Sequence, residues 1–358
     1  MTPTTPSPHS RSDDTRSVGR VTVGPGAETP IDPTEPSGRS RVVIAHADRP
    51  GSERIELDGL RAALAADPTA FAWIDLEAPS RGQVAEVARL LDLHPLVAEN
   101  IGEHNQRAKV DQVEGSVHVV LFVLAYVGEV HTVEVDFVLG ERFLISVHDA
   151  GWDPAGAPLL RIDVGAYLGR GPDLLLYAIA DWIVDDYFPV LDRLADEIDQ
   201  LQDDVVDTAS RWTLEKLFVL KRELIAVRRA TSPAREIFNQ LTNRDITVIR
   251  PPHVVYFRDV YDHLIRVTDE LDNYRELVSG TLDVYLSTVN NNLAVIVKRL
   301  TGVTVILAGI GALAGVFGMS EAGAVFAGAE AAGFWIVTAA IVALAGTVAL
   351  VLRRIDWI

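Results

Sequence analysis

The chain of 358 residues has no cysteine and only two methionines. Disulfides and thiolate metal sites are thereby excluded, and nothing in the composition conflicts with a reducing cytoplasm. Basic residues are also scarce: 32 Lys and Arg against 50 Asp and Glu leave a net charge of −18. That balance argues against nucleic acid as a partner and for attraction of cations, with plain solubility as the simpler reading. Residues 1–40 hold no apolar run and are rich in Ser, Thr, Pro and Gly. They are expected to form a disordered N-terminal tail, with no cleaved leader. Proline is absent after Pro252, and charge is absent from Leu300 to Met319 and from Phe334 to Leu352.

The proline-free stretch organises the rest. After Pro251-Pro252, a helix-start signal, apolar residues recur at steps of three and four: Phe257, Val260, Leu264, Val267, Leu271, Tyr274, Val278 and onward to Val303. A single helix of roughly 65 residues would be about 100 Å long at 1.5 Å per residue, and only its last ~30 Å fits a bilayer. The expectation is a stalk helix over 251–299 that continues into a first transmembrane helix over 300–319.

Ahead of it, residues 41–150 read as an α/β domain. Strands are expected at Arg41–Ala45, Ala70–Leu76, Val117–Tyr126, Val133–Leu139 and Phe143–Val147, with turns at Gly128-Glu129 and Gly140-Glu141. Ser80 to Leu93 has helical spacing, with Ser80 as N-cap and His94-Pro95 closing it. Residues 151–250 read as a helical arm hairpin: Leu174 to Asp207 helical, then Thr213 to Leu241. The first arm crowds acids, among them Asp181, Asp185, Asp186, Asp196, Glu197 and Asp203, while the second carries Lys221, Arg222, Arg228 and Arg229. Either the two arms neutralise each other or the acids serve divalent cations.

A second transmembrane helix is expected over 334–352, after a loop at 320–333 and before a short tail at 353–358. Lys298 and Arg299 precede the first span and Arg353 and Arg354 follow the second, whereas the loop carries Glu321 and Glu330 and no Lys or Arg. The positive-inside rule then puts both termini in the cytoplasm and the loop outside the plasma membrane. Two helices cannot enclose a water-filled path, so a conduit needs several copies, with the glycine-rich first span as lining. Glycine content alone fits ordinary helix packing equally well. His94, His104 and His118 show no paired zinc spacing and read as packed or solvated. Asp75 with Glu77 reads as a strand end, since no nucleophile, phosphate loop or nucleotide fingerprint accompanies it, and nothing points to an enzyme.

Several ordered segments carry a resemblance: FAWIDLE at Phe71–Glu77, HPLVAENIGEHNQRAKVD at His94–Asp111, DDYFPV at Asp185–Val190, YFRDVYDH at Tyr256–His263, KRLT at Lys298–Thr301 and FGM at Phe317–Met319. In order and spacing the chain resembles the CorA family of magnesium transporters over residues 41–358. The resemblance implies a funnel-shaped homopentamer in the lipid bilayer. Each subunit would have an α+β cytosolic domain, a long helical stalk and two transmembrane helices. It implies passive transport of divalent cations, Mg²⁺ favoured and Co²⁺ or Ni²⁺ possible, gated by the cytosolic domain.

By the same resemblance Gly318, Met319 and Ser320 form the pore mouth. Ala294, Val297, Leu300, Ala308 and Gly311 line the pore or its gate, and Glu321 and Glu330 are loop acids. Asp259 matches a stalk position where Mg²⁺, as regulatory ion, bridges to a neighbouring subunit; the partner position is Asn100, beside Glu99. The sequence departs from the family where it matters: Ser320 replaces the signature asparagine, Ala294 a common polar ring, and Asn100 a carboxylate. Mg²⁺ sheds water reluctantly and is best held through its waters, so a serine ring is expected to bind more weakly or to admit another ion. The alternatives are a transporter for Zn²⁺ or another cation, and a non-conducting scaffold or sensor.

Overall fold

In a computed structural model of the chain, the described residues are 38–103, 106–243, 246–318 and 330–354. Two units emerge, Met1–Ile198 with Phe218–Leu277 and Asp199–Leu217 with Val278–Ile358.

Runs of β-branched residues build the first unit's sheet. Its strands are β1 (Arg39–His46), β2 (Ser52–Ile55), β3 (Ala70–Glu77), β4 (Lys109–Val113), β5 (Ser116–Tyr126), β6 (Val130–Gly140) and β7 (Phe143–His148). Their order is β2-β1-β3-β7-β6-β5-β4, with β3 and β7 parallel and all other pairs antiparallel. β5 and β6 form a long hairpin from Ser116↔Gly140 to Tyr126↔Val130, turning through Gly128 at φ +76. The five strands expected from sequence are present. The two that were not, β2 and β4, are the edge strands, short and polar as exposed edges must be.

Period-two alternation gives the sheet two different faces. On one face Val42, Ile44, Ala72, Ile74, Leu76, Val138, Ile145 and Val147 meet Leu60, Val84, Val87, Val97 and Ile101 in a single buried cluster. The latter five stand on α1 (Leu60–Ala66), α2 (Arg81–Leu91) and α3 (Pro95–Glu103). Ser80 caps α2 in a reciprocal capping box with Gln83. The helix ends earlier than expected, because Asp92 takes a left-handed conformation at its C-terminus, and Pro95 opens α3 instead of closing α2.

The opposite face is polar at its end. Asp75 accepts from Ser146 Oγ at 2.6 Å, Ser146 Oγ accepts from Trp73 Nε1 at 3.0 Å, and His148 Nε2 lies 3.2 Å from Asp75. Arg41 reaches Asp75 at 3.9 Å and pairs with both oxygens of Asp153. His148 meets Trp152 edge-on, and Trp152 stacks on Trp182. Burial alone would depress the His148 imidazole, but the Asp75 carboxylate outweighs it and raises its pKa.

Two short helices, α4 (Pro158–Ile162) and α5 (Val164–Leu168), lead to α6 (Pro172–Asp185), which is apolar on nearly every side and buried accordingly. The single helix expected to Asp207 is two: Asp186 interrupts it before α7 (Tyr187–Asp207). Then come α8 (Arg211–Leu241) and α9 (Val254–Gly318), whose 65 residues match the length read from the apolar stripe. Within the first unit the stripe of α9 is buried at Phe257, Val260, Leu264, Val267 and Leu271, with Phe257 stacked on Phe238 of α8. The root of α9 is fixed by Asp173 at the start of α6. Its fully buried carboxylate accepts from the Arg250 backbone N–H at 2.9 Å and faces His253 Nδ1 at 2.8 Å.

In the second unit Leu201, Val205, Leu217, Val278, Thr281 and Tyr285 are buried. From Leu286 to Val316 only Gly302 is buried. The last helix is α10 (Glu330–Arg354).

The polar network around Asp75 yields a stability test. Asp75→Ala leaves Ser146 and His148 buried without their acceptor and is expected to cost about 3 kcal/mol, read as a lowered denaturation midpoint of the full-length protein. Because the folded His148 pKa is raised, its contribution is full below the unfolded value of about 6.5 and fades as pH rises through the folded one. His148→Gln should flatten that part of the stability–pH curve, and an unchanged slope would refute the assignment.

Candidate functional site

Among the described residues of the first unit, two groups of side chains bring ligand atoms within 4.8 Å of one another: His46, Asp48 and Asp67, and Asp181, Asp185 and His263. In the first, a cation is already supplied. The Arg49 guanidinium lies 2.9 Å from Asp67 and 3.2 Å from His46, and Thr69 donates to Asp67 through side chain and backbone. Those bonds, Thr69 first, hold the Asp67 carboxyl far below its ordinary value. This group is a closed ion-pair network.

The second group is different. Asp181 and Asp185 are one helical turn apart on α6, so both project from one side. His263 stands on the buried part of α9, its Nδ1 3.3 Å from Asp185 and its ring edge-on to Phe188. Asp259, one turn before His263, adds its field to Asp181. Asp181 is pushed up to about 6, by burial first, then by Asp185, against the opposing pull of His263 and in concert with Asp259. Asp186, at the helix break, is also pushed up to about 6 by burial and Asp185. Asp181 and Asp185 thus share one imidazole while Asp259 adds to their repulsion, which a cation would lower. Two carboxylates and a ring nitrogen suit Co²⁺, Ni²⁺ or Zn²⁺, and the carboxylates alone suit Mg²⁺ with retained waters.

In the sequence Asp181 and Asp185 stand within a crowd of acids and Asp259 at a position matched by resemblance, while no local pattern marks His263. Spacing gave the signal for the pair on α6, and nothing local could bring α9 to them. Asn100 and Glu99 lie on α3, half-buried and exposed respectively, and among the described residues no hydrogen bond or ion pair joins either to Asp259. Arg228 of α8 pairs with Asp272 of α9, and among the described residues no ion pair joins Asp192 or Asp196 to Lys221, Arg222 or Arg229. His118 is the packed histidine expected, fully buried 2.7 Å from Asp136; His104 lies outside the described residues.

Among the described residues one helical stretch, Pro251–Val316, is long and apolar enough to cross a membrane, and almost none of its apolar part is buried. Ala294, Val297, Leu300, Ala308 and Gly311 are all exposed on it, Val297 at 60% and Leu300 at 65%. At 3.6 residues per turn these five fall within an arc of roughly 120°, so one face of α9 carries them all. Gly318 is the last residue of α9 and Glu330 the first of α10. Met319, Ser320 and Glu321 lie outside the described residues.

Comparison with known proteins identifies the family and the fold. The family described as "CorA-like Mg2+ transporter protein" matches residues 68–354. The cobalt/magnesium transport protein CorA of Thermotoga maritima is 34% identical over 261 residues, which are 71% of this chain and 74% of that one. Its namesake from Methanocaldococcus jannaschii is 29% identical over 189 residues, 53% of this chain and 59% of the other. The solved structure of the complete CorA magnesium transporter from the same archaeon superposes with a TM-score of 0.72 at 20% identity, covering 89% of this chain and 98% of that one.

A cation at the acid-rich centre would compete with protons for the same oxygens. Co²⁺ binding measured by calorimetry should weaken as pH falls from 7.5 to 5, since a proton on Asp181, with its value of about 6, competes for the ligand oxygen. Asp181→Asn should lower affinity at pH 7.5 by about tenfold or more and remove much of that pH dependence. An unaltered titration would remove Asp181 from the centre.

Proposed function

The chain belongs to the CorA-like Mg²⁺ transporter family and is a divalent-cation transporter of that family, and from that premise we propose a passive, gated, homopentameric channel with Mg²⁺ as favoured substrate. The single observation that carries the conduit is the exposed, charge-free end of α9. No water-soluble fold leaves so long an apolar stretch uncovered; lipid on one side and sister helices on the other would cover it. The α10 helix, ending in Arg353 and Arg354, would form the second span, with both termini cytoplasmic in the plasma membrane.

The arc of Ala294, Val297, Leu300, Ala308 and Gly311 would face the shared axis. Small residues at Ala294, Ala308 and Gly311 leave room there, and rings of Val297 and Leu300 would gate by excluding water. Entry would be through Gly318, Met319 and Ser320, where Glu321 and Glu330 raise the local cation concentration. A Ser320 hydroxyl can accept from a water of the hydrated ion but offers no amide donors, which lowers discrimination in favour of Mg²⁺.

Control would lie at the acid-rich centre. Asp181, Asp185 and His263 would hold a regulatory divalent ion, which supplies the positive charge that cancels their repulsion. With these side chains neutralised, α6 and the stalk stay together; with them bare, Asp181, Asp185 and Asp259 push the two helices apart. Asn100 and Glu99 would join such control only from a neighbouring subunit.

Flux into liposomes containing the purified protein tests the proposal. Uptake of Mg²⁺ or Co²⁺ down its gradient is expected, and absence of flux for Mg²⁺, Co²⁺, Ni²⁺ and Zn²⁺ alike would overturn it in favour of a scaffold or sensor. Leu300→Asn should wet the constriction and raise basal leak several-fold. Ser320→Asn should improve Mg²⁺ over Co²⁺ or Zn²⁺; Mg²⁺ flux appearing only in that variant would assign the native channel to another cation.

A further inference from the structure

A second group of acids lies in the first unit, where the β5–β6 hairpin meets α7 and α8, and the function proposed above does not use it. Tyr126 at the end of β5 donates its hydroxyl to Glu197 Oε1 of α7. Glu223 of α8 receives the backbone N–H of Val130 at the start of β6. The Glu223 side chain is nearly sealed, 6% exposed, and its Oε2 is buried with no hydrogen-bond partner. Glu197 and Glu129 both bear on it electrostatically, and Arg222 opposes them. Arg193 acts on Tyr126. No ion pair joins Glu197 or Glu223 to Arg193 or Arg222 among the described residues, and His131 is drawn to Glu129 at 3.7 Å.

A buried carboxylate oxygen with no donor, in the field of a second carboxylate, is costly unless a positive charge completes it. Tyr126 donates to Glu197 and the Val130 amide to Glu223, and Tyr126 and Val130 are paired across the hairpin, so both carboxylates are held at the same end of it, as outer partners hold metal ligands. Carboxylates are the ligands that Mg²⁺-like ions use. We propose that Glu197 and Glu223, oriented by Tyr126 and Val130, form a binding site for one divalent cation, separate from the Asp181 centre. Such an ion ties the hairpin to both arms, so that the arms of this unit are held by a ligand and not by mutual ion pairs.

The experiment counts Mn²⁺ by electron paramagnetic resonance on the full-length protein in detergent. Wild type is expected to hold one more Mn²⁺ per chain than Glu223→Gln or Glu197→Gln, and excess Mg²⁺ should displace it. The double variant Asp181→Asn, Asp185→Asn should keep this ion, which separates the two sites. Tyr126→Phe should keep the ion with affinity reduced by about tenfold. If Glu223→Gln does not fold, Glu197→Gln on the half-buried partner gives the same count. An equal count in wild type and both glutamine variants overturns the proposal. So does a shared proton only, seen as one proton per chain taken up between pH 8 and 6 in wild type but not in Glu223→Gln, with no Mn²⁺ lost.

Discussion

A helix of 65 residues that one copy of the chain leaves bare along much of its length is the constraint on which the rest depends. Where α9 lies in the first unit, its apolar stripe is covered: Phe257, Val260, Leu264, Val267 and Leu271 are all buried. Beyond Tyr285 most of α9 is exposed, and from Leu300 to Gly318 it carries no charge. Water tolerates that surface poorly, so the energy of the assembly is decided by what covers it: lipid, and on our reading other copies of the same helix. On the function proposed above, the axis so covered would also be the route for the ion.

Polar groups in the first unit fall into two kinds. Asp75 and Asp173 are buried acids with partners matched to them: Ser146 and His148 for one, the Arg250 amide and His253 for the other. They tie strand to strand and α6 to the root of α9. The acids at Asp181, Asp185 and Asp259, and those at Glu197 and Glu223, outnumber the cations near them. Burial pushes Asp181 up to about 6 and, with Glu197 beside it, Glu223 up to about 7. Burial and acidic neighbours together favour the proton on these carboxylates, and a cation would relieve the same repulsion.

Much of the scaffold was legible because it rests on periodicity. Alternation marked β1, β3, β5, β6 and β7, and steps of three and four marked α2, α8 and the whole of α9. The edge strands β2 and β4 escaped because a polar, solvent-facing strand has no apolar side to advertise. Asp186 hid the break between α6 and α7, since one residue with near-helical backbone angles leaves the apolar spacing on either side undisturbed. His263 went unnoticed for another reason. Its meaning depends on Asp185, 78 positions earlier in the chain, and no local pattern reports such a pairing.

The chain alone determined the elements, the absence of thiol chemistry, and the uncharged stretch that water cannot accommodate, because each follows from neighbouring side chains and their period. Its family likeness was carried by short ordered segments for the same reason. Only the tertiary structure decided which acids are satisfied and which are left facing one another. That outcome turns on how α6, α7, α8 and α9 pack against the sheet, and electrostatic energy depends on distance through space, which sequence spacing does not record.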